Sequence, residues 1–384
     1  MFKLISIASQ ELPEDAVKEL LDRLSNDRWV LGEAVREFEE KFAKYVGVDY
    51  AVALCNGTMA LLVAYEALGI RKRTLITTPY TFIATAATAT FLGSKVNFVD
   101  VLPENACINP LEVIEKAEKD AIISVVHIFG YPASVDVICE NTDIPVVEDC
   151  AQAHGAVLKG KRVGSYGDVG IFSFYPSKNM TVAGDGGMLV TNDEKIYRYA
   201  LMLRDNGRIS RYVHAIAGLN LRLNTINAAI GLVELKYLDK WNDVRRKHVK
   251  LYYDLLRDLS EHIELGPLPT NQSVPVYNTY PIKVKNSEHR GILGAWLNAH
   301  GVGVAVYYPL PLHKQPLYRG EFEGVEFPIA EDWSERVINL PCHQFLKDHE
   351  ITYVASLIRE FFEQEIYDQE KWKKEGKSWE RSIR

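Results

Sequence analysis

Between residues 50 and 195, short apolar runs and helix-like stretches take turns along the chain. "AVAL", "TLITT", "VNFV", "AIISVVHIF", "IPVVED", "DVGIFSF" and "GGMLVT" read as strands. "TFIATAATATFLG" and "PLEVIEKAEK" read as helices between them. Strands that alternate with helices imply a mostly parallel sheet covered on both faces. Upstream, Val35, Phe38, Phe42 and Tyr45 fall three or four residues apart, the spacing of an amphipathic helix. Downstream, "TINAAIGLVELKYLDKWNDVRRKHVKLYYDLLRDL" keeps helical spacing over more than an ordinary helix length. Beyond residue 262 the pattern changes to a mixture of strand-like and helical pieces. The expectation is an α/β fold. A large domain over 1–245 carries a mostly parallel, seven-stranded type of sheet between helices. A smaller α+β domain covers 246–384. Its last segment, from about 363, is mostly charged and reads as a solvated helical extension.

The bulk numbers narrow the function classes. A chain of 384 residues with 47% hydrophobic and 25% charged residues has ample core for a soluble protein. A net charge of −7 with no long basic stripe argues against nucleic acid as the main ligand. No apolar run approaches the roughly 18 residues of a membrane span. The N-terminal "MFKLISIASQELPED" turns acidic where a signal peptide would present its cleavage site. Five cysteines are scattered without any CxxC spacing, which predicts reduced thiols in a cytoplasmic protein with no disulfide and no metal site.

Open parallel sheets bind ligands at the carboxyl ends of their strands, and several polar residues fall there. Asn56, Gly57 and Thr58 lie between a strand and a helix. The exposed N–H groups and the helix dipole make that turn either a phosphate site or an ordinary Asn-Gly turn. Asp149 ends "IPVVED", with Gln152 and His154 just after it. "FSFYPSKNMTVAGDGG" begins as a strand, breaks at Pro176 and delivers a lone lysine, Lys178, into a glycine-rich loop. A lysine there is a surface residue or an amine poised to react with an aldehyde. A phosphate cradle, an aspartate at one strand end and a lysine at another are together what pyridoxal phosphate needs. Phe82, in "PYTFIATA", could cover one face of its ring.

With these motifs in order, the chain resembles the DegT/StrS-type sugar aminotransferases of the aspartate aminotransferase fold. The likeness is densest over "VVEDCAQAHGAVLKGKRVGSYGDVGIFSFYPSKNMTVAGDGGMLVTND" and extends to "GLNLRLNTINAAIGLVELKYLD", "VYYPLPLHKQPLY" and "INLPCH". The resemblance implies that Lys178 is the Schiff-base lysine and proton shuttle, and that Asp149 pairs with the pyridine nitrogen. It implies that Gln152 touches the ring hydroxyl, Phe82 stacks on the ring, and Gly57, Thr58 and Ser173 hold the phosphate. Asn220 would reach the phosphate of the neighbouring subunit's cofactor, so the active unit would be a homodimer. Tyr308 and His313 would line the sugar pocket, and His154 is a further candidate for substrate contact. Asp185 stands where the family usually has glutamate. The implied reaction is ping-pong, with pyridoxamine phosphate as the intermediate cofactor form, from glutamate (leaving as 2-oxoglutarate) to a nucleoside-diphosphate keto sugar. A related branch that dehydrates the sugar carries histidine at the lysine position, and Lys178 argues against it. An unlinked ketone such as an inosose, an amino-aromatic acid product, or a regulatory protein on the same fold are the other readings.

Overall fold

The computed structural model describes residues 4–9 and 11–383. Seven strands build the central sheet: β1 (Tyr50–Leu54), β2 (Thr74–Thr77), β3 (Lys95–Phe98), β4 (Ala121–Val126), β5 (Val146–Asp149), β6 (Val169–Ser173) and β7 (Gly187–Thr191). Their spatial order is β1-β7-β6-β5-β4-β2-β3. From β3 to β6 every pairing is parallel, whereas β7 runs antiparallel to both β6 and β1. Every residue of β4, β5 and β7 is buried, as strands covered on both faces must be. The mostly parallel sheet expected from the strand–helix alternation is therefore present.

The long helical run is one continuous helix, Thr225–Leu256, capped by the Asn224 side chain, which accepts from Asn227 N. It packs against the helices Glu14–Asn26 and Glu33–Val46 of the large domain and against Asp348–Glu363 of the small one. The boundary expected at 245 falls inside it, so one rigid element belongs to both domains. The small domain has a three-stranded antiparallel sheet of β8 (Ile263–Leu265), β9 (Tyr280–Val284) and β10 (Val337–Leu340). The N-terminal segment returns to it: Ile5 N donates to Gly301 O at 2.9 Å and its carbonyl accepts from Gly303 N at 2.7 Å. The five cysteines are unpaired, and no helix among the described residues is long and apolar enough to cross a membrane.

The charged tail is not simply solvated. Its helix, Glu370–Ile383, buries Trp372, Gly376 and Trp379 against the helix Glu288–Ala299. These positions form a narrow i, i+4, i+7 stripe, and charged residues fill the remaining faces. Gly294 makes the approach possible: a Cβ there would stand 2.6 Å from the Trp379 ring. Arg290 forks onto Glu380, with Nε donating to Oε1 at 2.8 Å and Nη2 to Oε2 at 2.7 Å. Removing the indole leaves a cavity that these backbones cannot collapse into. Trp379→Ala is expected to destabilise the protein by about 3 kcal/mol in urea unfolding, with the central sheet's cleft unaffected.

Candidate active site

The carboxyl ends of β4, β5 and β6 open on a cleft of about 550 Å3 whose wall includes Asp149, Gln152, Lys178 and Tyr308. Its lysine is carried by the loop after β6, and that loop is anchored from several directions. Asn278 Nδ2 donates to Ser177 O at 3.0 Å and to Asn179 Oδ1 at 3.1 Å. Asn179 Nδ2 donates to Val276 O at 2.8 Å, and Thr181 N donates to the Glu234 carboxylate at 3.0 Å. The long helix and the small domain thereby fix where Lys178 sits. Burial pushes the Lys178 amine down to about 8, although Asp149 pulls the other way. An amine near 8 is partly neutral, and so nucleophilic, near neutral pH.

Asp149 is the last residue of β5, so strand alternation sends it and Glu148 to opposite faces of the sheet. Glu148 faces inward and is saturated. It accepts from Gly164 N at 2.8 Å, Tyr166 N at 2.7 Å and Gly167 N at 2.9 Å, and pairs with His127 Nε2 at 3.1 Å. Asp149 faces the cleft, where Oδ2 accepts from Thr85 Oγ1 at 2.8 Å and Oδ1 from Ala151 N at 3.1 Å. Burial pushes its pKa above the ordinary carboxylate value, and Thr85, Ala151 and Lys178 oppose that rise. Gln152 is fixed in orientation: Oε1 accepts from Phe129 N at 2.6 Å, leaving its amide N–H groups for Tyr308 Oη at 3.3 Å and for the cleft.

The turn after β1 supplies the third corner. Asn56 caps the helix Gly57–Ala67 by accepting from Met59 N at 2.8 Å. The N–H groups of Gly57 and Thr58 precede the first intrahelical bond and point out of the helix end. Gly57 is needed because a Cβ there would lie 2.8 Å from the Ser173 side chain, closing the space between the helix and β6. Gly187 is needed because its Cβ would overlap the Asn56 carbonyl at 2.4 Å. Phe82, 55% exposed, stands over the cleft with its ring 6.2 Å from that of Tyr308. A carboxylate, an amine of lowered basicity, an anion cradle and an aromatic cover around one cleft fit pyridoxal phosphate.

Two expected substrate contacts are not brought to this cleft. His154 is fully buried, wedged against Phe172 and Phe174 with ring centroids at 5.4 and 5.7 Å. Burial holds its imidazole down to about 3, so it stays neutral. His313 is 2% exposed, pairs with Glu331 at 2.9 Å and packs on Phe327. Both lie outside the wall of this chain's own cleft, against aromatic neighbours. Asn220 is exposed and does not line the cleft of its own chain. Unforeseen wall residues are Thr81, Tyr175, Tyr307 and Asn278. Asn278 lies a hundred residues from the lysine it serves, and no local motif marks it.

Comparison with known proteins settles the family. Over residues 10–359 the chain matches the sequence model of the DegT/DnrJ/EryC1/StrS aminotransferase family. The chain belongs to that family. Among curated relatives, a pleiotropic regulatory protein of Geobacillus stearothermophilus is 34% identical over 92% of this chain and 96% of its own length. A UDP-N-acetyl-3-dehydro-alpha-D-glucosamine 3-aminotransferase of Acidithiobacillus ferrooxidans is 35% identical over 88% of this chain and 90% of its own. Among solved structures, S. venezuelae DesV, in complex with a ketimine intermediate, superimposes with a TM-score of 0.89 at 31% identity, covering 96% of this chain and 100% of that one.

The lysine's environment has a measurable sign. A folded-state value near 8 against an ordinary 10.5 means that the folded protein binds fewer protons between those values, so stability rises with pH across that window. In cofactor-free protein, the pH dependence of Lys178 reductive methylation should show a midpoint near 8. Lys178→Met should remove the slope and stabilise the cofactor-free protein at pH 7 by roughly 2 kcal/mol, allowing for screening by cleft water.

Proposed function

We propose that the protein is a pyridoxal-phosphate-dependent aminotransferase that moves an amino group from glutamate to the ketone of a sugar linked to a nucleoside diphosphate. The observation that carries this is the Lys178–Asp149 pair, a carboxylate at the end of β5 and an amine on the loop after the neighbouring β6, facing one cleft beside a helix N-terminus. The family membership and the UDP-sugar aminotransferase among the relatives support the same acceptor class. Glutamate as donor and a cytoplasmic setting rest on the family resemblance and the unpaired cysteines.

Gly57, Thr58 and Ser173 would hold the phosphate, Phe82 would cover the ring, Gln152 would donate to its hydroxyl oxygen, and Asp149 would hold the proton on its nitrogen. Bound there, the cofactor supplies an aldehyde to receive the amino group and a ring that spreads the negative charge left when a carbon loses its proton. Lys178 Nζ, neutral for part of the time near pH 7, can take a proton from carbon and return it across a short distance. Tyr308, its phenol kept neutral by burial, offers a hydroxyl beside Gln152 rather than a second charge. A binding or regulatory protein without turnover has no need of an amine held at low basicity. The dehydrating branch expects histidine where this chain has Lys178.

Lys178 is the one cationic side chain among the described residues of the cleft wall. A phosphate and a substrate diphosphate need more donors than that. We therefore take the enzyme to be a homodimer in which Asn220 completes the neighbouring chain's phosphate site. Isologous pairing makes each chain both give and receive it.

Purified protein incubated with glutamate and a panel of keto sugars, nucleotide-linked and free, should yield amino sugar nucleotide by mass spectrometry with matching 2-oxoglutarate. Product from free ketones alone would place the acceptor elsewhere. Asp149→Asn should still bind cofactor but lose about two orders of magnitude or more in kcat, because an amide cannot hold the ring nitrogen's proton. Mixing inactive Lys178→Ala and Asn220→Asp chains should restore part of the activity, since one site of each mixed dimer carries neither defect. No recovery from mixed dimers shown to form would refute the shared site.

A further inference from the structure

We propose that Thr85 is a positioning residue: its hydroxyl, backed by Thr81, aims the Asp149 carboxylate and keeps it ionised for the cofactor's ring nitrogen. The inference rests on the reading of the cleft as a pyridoxal phosphate site, and it assigns a role to a side chain that does not line that cleft.

Asp149 is only 6% exposed. A carboxylate in such a place drifts towards its neutral form, and a neutral acid cannot hold a second proton on a ring nitrogen. Few groups oppose the drift. Lys178 lends its charge only while protonated, and it surrenders that charge whenever Nζ acts as a neutral nucleophile. His127 is engaged elsewhere, its Nδ1 accepting from Ala133 N at 3.0 Å and its Nε2 facing Glu148. Tyr65, Tyr308 and Cys150 also face the carboxylate, and burial holds all three in their neutral forms. What stays constant is a pair of neutral donors, Thr85 Oγ1 on Oδ2 at 2.8 Å and Ala151 N on Oδ1 at 3.1 Å. Between them they fix both oxygens, and hence the plane of the carboxylate.

The direction of the hydroxyl chain follows from valence. An ionised carboxylate only accepts, so the single proton of Thr85 must go to Asp149. The 3.1 Å contact between Thr81 Oγ1 and Thr85 Oγ1 then has Thr81 donating. Thr85 is 1% exposed, its backbone carbonyl is held by Tyr65 Oη at 2.7 Å, and its β-branched side chain has little rotamer freedom. It is a donor set rigidly behind the carboxylate, on the helix Ala84–Phe91, and it reaches the ligand only through Asp149.

The test is Thr85→Val, which keeps the shape and removes the donor, with Thr85→Ser as the conservative control. In cofactor-free full-length protein carrying 13C at aspartate Cγ, the Asp149 signal is identified by its loss in Asp149→Asn. Its titration midpoint should rise by about one pH unit or more in Thr85→Val and return in Thr85→Ser, as expected when a charged acceptor loses a hydrogen bond. In loaded enzyme, the pyridoxal phosphate Kd should rise about tenfold and kcat should fall by a similar factor, with KM for the amino donor unchanged. If Thr85→Val does not fold, Thr81→Val removes the upstream donor and should move the midpoint the same way by less. An unmoved midpoint in the folded valine variant, or a serine variant that restores nothing, would overturn the assignment. The carboxylate titration is read without cofactor, so a wild-type protein that bound no pyridoxal phosphate would sink the reading of the cleft and leave this measurement standing.

Discussion

The arrangement depends on placing an amine in a buried cleft and giving it no salt bridge among the described residues. Left to itself a lysine would swing to water, because burying its charge is costly. Here the chain has no such freedom. Asn278, Asn179 and Thr181 tie the loop on either side of Lys178 to the small domain and to the long helix. Destabilisation of the ammonium form is thereby turned into reactivity. The cost is carried by the surrounding packing, which is why so much buried polar structure gathers behind a single residue.

The sheet makes the rest of the site possible. Because β4, β5 and β6 are parallel neighbours, their carboxyl ends arrive side by side, and residues distant in sequence meet at one edge. Alternation along β5 then divides labour between adjacent carboxylates. Glu148 turns inward, takes three backbone N–H groups and holds the 164–167 turn, while Asp149 turns to the ligand. Exchanging these two residues would keep composition and charge and destroy both functions. Asn278, Tyr307 and Tyr308, from beyond the long helix, complete a cleft wall otherwise built by the large sheet's side of the chain.

Much of this was legible in the sequence. Strand–helix alternation gives the parallel sheet, and a lysine, an aspartate and an Asn-Gly-Thr turn at strand ends give three corners of the site, because each sits where the fold must expose it. Thr85 and Asn278 were not legible. Each acts through a hydrogen bond to a residue 64 or 99 positions away, and no local pattern encodes such a pairing. His154 and His313 fall outside the cleft wall of their own chain, because proximity in sequence to a site residue says nothing about the side on which a side chain leaves the backbone. The tail was misread because its charged majority masked a stripe of two tryptophans and a glycine.

The most direct test of the account is where a carbonyl cofactor attaches. Protein purified with pyridoxal phosphate, reduced with borohydride, digested and mapped by mass spectrometry, should carry the pyridoxyl group on the peptide containing Lys178, and Lys178→Ala should carry none. A label on any other lysine, or an unlabelled protein that is nonetheless active, would contradict the assignment of this cleft.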